Sequence, residues 1–384
     1  MDSFFAVTAP GLESFAALEL TRLGLLPATA AAEAGGVTFE GEREALYRAN
    51  LHLRCASRVL VRFGAFYAAS FSELHKSASR LPWERYLKPG QPVAVRVTCH
   101  KSKLYHSDAV AERILRAIAD RLGKPSLAHK PADDDAENPP QLIVVRLQRD
   151  QCTVSIDSSG ALLHRRGYRQ AVAKAPLRET LAAGMLFASG WDARSPLLDP
   201  FCGSGTIAIE AALLARGLAP GRNRRFAFMD WPGFDSKSWQ ALLAESVPAA
   251  GADSSRSSGQ VVPIIQASDR DAGAIRMAQE NAERAGVAQD IEFTCRAVSA
   301  ITPPGGPGWV VTNPPYGLRV SEGHDLRNLY AQFGNVLRAH CPGWQVALMC
   351  SDPALLGQTK IKLDTSLSLV NGGIGVKVGV GKVQ

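Results

Sequence analysis

The stretch "SPLLDPFCGSGTIAIEAALLARG", residues 195–217, decides the fold of the second half of the chain. Leu197 and Leu198 lead as a short apolar strand into Asp199, the chain turns through Gly203 and Gly205, and an apolar helix starts near Thr206. Glycines let a backbone approach a ligand closely, and the first turn of a helix points free amides at it. Ligands of open α/β sheets bind at this edge, beyond the carboxyl ends of the strands. The turn is not a phosphate loop, because no Gly-Lys-Ser/Thr follows. Nor is it a G-x-G-x-x-G fingerprint, since Ala208 stands three residues after Gly205. An acid just before the glycines suits a ligand with a cationic amino group rather than a pyrophosphate. Asp199, Pro200, Phe201, Cys202, Gly203, Gly205 and Thr206 are therefore candidate ligand contacts, with a plain tight turn as the other reading.

Outward from this turn, strands and helices alternate. "VVPIIQASDRD" reads as a strand and "AGAIRMAQENAERAG" as its helix; "IEFTCRAV" and "GWVVTNPPYG" are further strands. "DLRNLYAQFGNVLRAH" reads as a helix and "WQVALMCSD" as a strand. Such alternation implies a mostly parallel sheet covered on both faces. The tail "LSLVNGGIGVKVGV" carries Asn371-Gly372, a hairpin signal, so the last strand is expected to run antiparallel. The Ala/Ser/Gly-rich insert 248–260 reads as a flexible loop. The second apolar strand ends in "SDRD": Asp269, with Arg270 beside it, stands where an acid takes a ribose, and Asp271 where a helix N-cap belongs.

The N-terminal half has a different texture. "FFAVTA", "LESFAALELTRLG", "GGVTFEG" and "EREALYRANLHLRCA" read as strand, helix, strand, helix, a small α+β unit ending near residue 65. From 66 to 160, "PVAVRVTCH" reads as a strand, "SDAVAERILRAIADRLG" as a helix, and "QLIVVRLQRDQCTVSIDSSG" as a hairpin. The acidic "KPADDDAENPP" between them reads as an exposed loop. No compact set of acids, bases or nucleophiles occurs in this half.

Bulk properties narrow the classes. At 384 residues the chain holds two or three domains, with 46% apolar and 21% charged residues, as in ordinary globular proteins. The longest apolar runs fall far short of a membrane span, and no basic start precedes an apolar core at the N-terminus. Seven cysteines without a C-x-x-C pair argue against a disulfide framework and a structural zinc site, and suit a reducing cytoplasm; no metal is expected. The net charge of +7 is concentrated mid-chain: residues 161–240 carry 11 Lys/Arg against 6 Asp/Glu, whereas 1–160 carry 20 against 18 and 241–384 carry 12 against 12. Arg165, Arg166, Tyr168 and Arg169 form a basic stretch with an interleaved aromatic that suits RNA, or else a solvated linker.

Residues 310–319, "VVTNPPYGLR", carry the reaction chemistry. Proline cannot donate to a ladder, so the strand stops at Asn313. The Asn313 side-chain carbonyl and the backbone carbonyl of Pro314, beside the amide-less Pro315, are two acceptors able to hold an exocyclic –NH₂ by its hydrogens. That grip turns the nitrogen lone pair out of conjugation and toward an electrophile. Tyr316 offers a face for stacking a flipped base, worth roughly 1–3 kcal/mol. Rigid prolines preorganise the acceptors. No strong general base is required, because the proton can leave after a methyl group has arrived.

The residues "FFAVTAPGLESFAALELTRLG", "LHRRGYRQ…APLRETLAA", "LLDPFCGSGTIAIEAA", "ASDRDAGAI" and "TNPPYGLR" together resemble the THUMP-domain RNA methyltransferases, most closely the 23S rRNA guanine-N2-methyltransferases. The resemblance implies a ferredoxin-like domain over 1–65, a THUMP RNA-binding domain over 66–160, and a class I, Rossmann-like methyltransferase over 161–384. It implies S-adenosylmethionine as cofactor, with its methionine portion on Asp199 to Thr206 and its ribose on Asp269. Asn313 to Tyr316 would hold the target amine, and Arg319 would contact phosphate. The implied substrate is 23S rRNA or its precursor particle. The alternatives are tRNA, methylated at the same guanine position, and a catalytically weak RNA-binding assembly factor. Where relatives usually carry an acid for the cofactor's adenine after the third strand, this chain has Ala297. Some relatives carry another methyltransferase domain at the C-terminus; this sequence ends after one, so a second activity on another guanine is not expected. With neither an aromatic array nor a long basic run in the RNA-binding half, recognition is expected to depend on folded shape.

Overall fold

A computed structural model describes residues 1–27, 32–129, 139–169, 177–246, 263–316 and 326–384. The acidic loop at 130–138, the insert at 248–260 and Arg319 lie outside the described residues. The chain divides into two compact units.

The first unit contains residues 1–8, 16–163 and 224–244. Its strands are β1 (Asp2–Thr8), β2 (Gly36–Gly41), β3 (Ala56–Tyr67), β4 (Val93–His100), β5 (Ala128–His129), β6 (Gln141–Gln148) and β7 (Gln151–Asp157). They form one seven-stranded sheet in the order β2-β1-β3-β7-β6-β4-β5. The helices along this part of the chain are α1 (Glu13–Arg22), α2 (Arg43–His52), α3 (Phe71–Ala78) and α4 (Ser107–Leu122). In α4, Val110, Ile114, Ala117 and Ile118 are buried at helical spacing, and Gly123 closes the helix at φ +73°.

Two features depart from the sequence reading. The long strand β3 runs through residue 65 and pairs with β1 on one side and β7 on the other, so the sheet is continuous where a boundary is expected. Residues 224–244, far along the chain, also fold with this unit. Phe228 stacks on Tyr47 with ring centroids 4.6 Å apart, and the Trp231 indole donates to Gln141 Oε1 at 2.8 Å. Phe226, Phe228 and Trp239 are all buried in this segment, which ends in the helix α7 (Ser236–Glu245).

The second unit contains residues 9–15, 164–223 and 245–384. Its elements run α5 (Glu179–Ala188), β8 (Leu197–Asp199), α6 (Thr206–Ala215), β9 (Ile265–Asp269), α8 (Ala272–Ala285), β10 (Ile291–Cys295) and β11 (Trp309–Thr312). They continue as α9 (Leu326–His340), β12 (Gln345–Cys350), α10 (Pro353–Gln358), β13 (Leu363–Asn371) and β14 (Ile374–Lys382). The sheet order is β10-β9-β8-β11-β12-β14-β13. The first five strands in that order are parallel, and β14 runs antiparallel to β12, as the tail's turn signal implies. The hairpin turns through Gly372 at φ +57° and Gly373 at φ +84°. From α9, Tyr330, Phe333 and Leu337 bury one face against Val310, Val346 and Leu348. Each such apolar side chain contributes about 1.5–3 kcal/mol. No helix among the described residues is long and apolar enough to cross a membrane.

Candidate active site

Because β8, β9 and β11 are parallel neighbours, their carboxyl ends emerge at one edge, and with them Asp199, Asp269 and Asn313. The strand order reverses between β8 and β11, which is where α/β sheets open a crevice.

The glycine turn after β8 is held from several sides. Cys202, itself buried, donates its amide to Ser268 O at 3.0 Å, and the Gly203 amide donates to Asp269 Oδ2 at 3.1 Å. From α8, the fully buried Asn281 donates its side-chain amide to Ser204 O at 3.1 Å, and Arg284 Nη2 donates to Asn281 Oδ1 at 2.6 Å. Gly205 (φ +82°) caps α6, and a Cβ there would stand 2.9 Å from Ala278 Cβ. At Gly203 (φ +50°) a Cβ would meet nothing within 4 Å, so this side of the turn is open. Pro200 is buried, and Phe201 turns its ring edge-on to Phe333, 5.2 Å between centroids, as part of the core.

Asp199 is 1% exposed. Its Oδ1 accepts from Thr312 Oγ1 at 2.5 Å and from the Phe201 amide at 3.4 Å, while Oδ2 has no hydrogen-bond partner among the described residues. Burial pushes its carboxyl up to about 7; the Thr312 and Phe201 bonds pull down against this, and the Asp269 charge pushes further up. A buried unsatisfied carboxylate oxygen is costly, and a ligand ammonium placed on it would remove that cost. Asp269 accepts from Gly203 and, at 3.0 Å, from the Asp271 amide, and its oxygens retain lone pairs for further donors. Asp271 caps α8 by accepting from Gly273 N at 2.7 Å. Arg270 is exposed, and its backbone carbonyl accepts from Cys295 Sγ at 3.6 Å.

The turn after β11 is braced by two phenols. Tyr330 Oη donates to Pro315 O at 3.3 Å, and Asn371 Nδ2 donates to Tyr316 Oη at 2.9 Å. Tyr316 packs beside the core cluster, and burial raises its hydroxyl above the usual phenol range. Asn313 Oδ1 is buried and has no partner among the described residues. Two acceptors with unspent capacity, Asp199 Oδ2 and Asn313 Oδ1, thus stand at the carboxyl ends of adjacent strands. These features fit an ammonium-bearing cofactor in the first turn and an amine donor in the second.

The basic stretch is corrected by the structure. Arg166 and Tyr168 are 3% and 2% exposed, and both approach Glu210 Oε1 of α6 at 3.4 Å. Arg169 donates to Thr206 Oγ1 at 2.7 Å and Leu177 O at 2.9 Å, and pairs with Glu179 at 3.4 Å. These three side chains support α6; Arg166 and Tyr168 are buried and have no surface to offer RNA, whereas Arg165 and Arg169 are partly exposed, Arg169 with its guanidinium already committed to Thr206, Leu177 and Glu179. Further along, Arg224 is spent on the carbonyls of Ser159, Ala161 and Leu162. After β10, residues 296–302 contain no acid, and Ala297 is exposed. Thr312, Tyr330, Asn371 and Asn281 are site-supporting residues that the motif reading does not name. Only Thr312 carries a local signal, its place directly before Asn313. Among the described residues no cluster of His, Cys, Asp or Glu could hold a metal ion.

Comparison with known proteins agrees with this geometry. Family models match at residues 3–60 (RlmL ferredoxin-like domain), 68–157 (THUMP domain) and 166–377 (RMKL-like, methyltransferase domain). The slr0064 protein of Synechocystis sp., provisionally named an RNA methyltransferase, is 34% identical over 97% of this chain and 94% of its own. Ribosomal RNA large subunit methyltransferase K/L of Syntrophotalea carbinolica is 38% identical over 97% of this chain and 52% of its own, so the chain spans about half of that relative's length. The solved structure of SMU.472 with SAH superposes with a TM-score of 0.84 at 29% identity, covering 100% of this chain and 98% of that one. A glycine turn behind a buried acid, an Asn-Pro-Pro-Tyr turn on the neighbouring strand and a match across 166–377 lead to one assignment: the chain belongs to the RMKL-like methyltransferase family.

Proposed function

We propose that this protein is an S-adenosylmethionine-dependent RNA methyltransferase acting on the exocyclic N2 amine of a guanine in 23S rRNA. The observation that carries the reading is the pair of buried acceptors without a partner among the described residues, Asp199 Oδ2 and Asn313 Oδ1, at one sheet edge. Support for RNA as substrate comes from the THUMP match and from the names of the relatives, and ribosomal RNA from the latter. When bound, S-adenosylmethionine supplies a sulfonium methyl group. Asp199 takes the cofactor's ammonium, the amides around Gly203 and Gly205 line its methionine portion, and Asp269 accepts from its ribose. Asn313 Oδ1 and the Pro314 carbonyl hold the two amine hydrogens, and Tyr316 gives the base a face to stack on. Pro315 and Tyr316 are kept in place by Tyr330 and Asn371, so the acceptors need no rearrangement when the base arrives. The domain assignment is 1–65 ferredoxin-like, 66–160 THUMP and 161–384 methyltransferase, with 224–244 lent to the N-terminal unit. Arg165 of the basic stretch and Arg319, after the Asn-Pro-Pro-Tyr turn, are the proposed RNA contacts, and the cytoplasm is the proposed location.

The test is transfer of labelled methyl to unmodified 23S rRNA and, in parallel, to unmodified tRNA, with the labelled nucleoside identified by mass spectrometry. N2-methylguanosine in 23S rRNA alone is expected, and Asn313→Ala should lose at least ~100-fold in transfer while S-adenosylhomocysteine binds as before. Label in tRNA alone would move the assignment to tRNA. No label together with no cofactor binding would favour the assembly-factor reading, for which the missing adenine acid at Ala297 is the specific observation.

A further inference from the structure

We infer that Thr312 is a positioning residue for the cofactor: its hydroxyl holds Asp199 in the ionised form, so that the ammonium meets a carboxylate and not a neutral acid. The inference rests on the reading of Asp199 as the ammonium acceptor and adds to it a residue outside the glycine turn. Thr312 is fully buried at the last position of β11, and its Oγ1 lies 2.5 Å from Asp199 Oδ1 on the adjacent strand β8. With Asp199 ionised the hydroxyl is the donor, because a carboxylate can only accept, so the bond in this sense favours the charged form. With Oδ1 committed to Thr312 and the Phe201 amide, Oδ2 is the oxygen left for a ligand.

The environment makes this donor important. Among the described residues no cationic side chain shifts Asp199. The titratable groups against it are Asp269 at the end of β9, whose charge opposes ionisation, and Cys202 in the turn, whose thiol burial pushes well up and so keeps neutral. α6 carries one titratable residue, Glu210, which is paired with Arg166. Burial therefore drives the carboxyl toward its neutral form, and a hydroxyl and one long amide contact are what the fold sets against it. Thr312 is also covalently joined to Asn313, so one hydrogen bond links the acceptor for the cofactor to the acceptor for the target amine.

The test is the pH dependence of S-adenosylhomocysteine binding, measured by calorimetry from pH 5.5 to 9 on the full chain. In the wild type, affinity should rise with pH and level off above about 7, as Asp199 ionises. Thr312→Val removes the donor at nearly constant shape and should move that midpoint up by about one unit. Affinity then falls roughly tenfold at pH 6 and stays within about twofold of wild type at pH 9. Thr312→Ser should restore the wild-type profile. Thr312→Ala serves the same test should valine disturb the strand. The Asp199 carboxyl, followed by infrared difference against Asp199→Asn in cofactor-free protein, should titrate later in the valine variant. A profile that is lowered equally at every pH, or not moved, would overturn the inference and leave Thr312 a packing residue. Asp199→Asn binding as tightly as wild type at every pH would overturn the cofactor assignment itself, which separates the two failures.

Discussion

Gly203 and Gly205 stand two residues apart in the same turn, both at positive φ, and the structure gives them different jobs. Replacing Gly205 by alanine places a side chain in the left-handed region, at roughly 1–2 kcal/mol. It also drives the new Cβ to within 2.9 Å of Ala278 Cβ and 3.3 Å of Ala278 Cα, a backbone atom of α8 that cannot swing aside. Overpacking of this kind adds about 1–3 kcal/mol. The sum, about 2–5 kcal/mol, should accelerate hydrogen exchange in peptides covering β8 and α6 by roughly 30-fold to a few thousand-fold, at tenfold per 1.4 kcal/mol. Gly203→Ala meets the same backbone strain and no neighbour within 4 Å, so its exchange should rise only about 5- to 30-fold. Its Cβ instead points into the open side of the turn, and S-adenosylhomocysteine affinity should fall at least about tenfold. The reasoning is refuted if Gly205→Ala leaves α6 exchange unchanged, or if Gly203→Ala binds the cofactor product like wild type.

Arg166→Ala leaves Glu210 buried without its cation and should cost about 3–5 kcal/mol in the second unit. A variant that keeps its melting temperature but loses RNA retention would return Arg166 to the surface role that its sequence context suggests. Glu179 supplies a pH prediction: burial pushes it up to about 7 from an ordinary value of 4.5. The native chain then holds a proton that the unfolded chain releases between those values, so unfolding free energy should fall as pH rises from 4.5 to 7 and level off above. Glu179→Gln should flatten that decline in urea titrations at pH 5, 6 and 8, and an unaltered slope would remove Glu179 as its source.

How far the fold could be read from sequence depended on whether each element's signal was local. The parallel strands β8, β9, β11 and β12 are short apolar runs cut off by turn residues, and α8 and α9 each show one apolar face, so both kinds were legible. β3 was not, and its geometry says why. Its register shifts between Arg62 and Gly64, a bulge that breaks the two-residue alternation, and Gly64 is small because Leu81 fills the space over it. α5 escaped for the opposite reason: eight of its ten residues are buried, so no polar face marks a helical period. The arginines of 165–169 misled because a charge that will be buried looks, in sequence, like one that will be solvated. Glu210, the acid that neutralises Arg166, lies 44 residues away.

The site follows the same logic with one difference. A parallel sheet delivers the carboxyl end of every strand to one edge, so short motifs directly after strands converge whatever their separation in sequence, and "DPFCGSGT", "SDRD" and "NPPY" could be assigned together. The bonds that make them one site could not, because each joins distant residues: Gly203 to Asp269 across 66 positions, Ser204 to Asn281 across 77, Asp199 to Thr312 across 113. Those bonds decide which bonding capacity is left over, and leftover capacity is what a ligand meets. Unsatisfied buried atoms are not by themselves diagnostic, since Thr8 Oγ1 and Tyr86 Oη in the first unit share that property. What distinguishes Asp199 Oδ2 and Asn313 Oδ1 is that they stand at the carboxyl ends of adjacent strands where the strand order reverses, each beside a partner oxygen or turn that the fold has already fixed. An acceptor held rigid and left empty there loses little entropy when a donor arrives, and that makes the edge a place for chemistry as well as for binding.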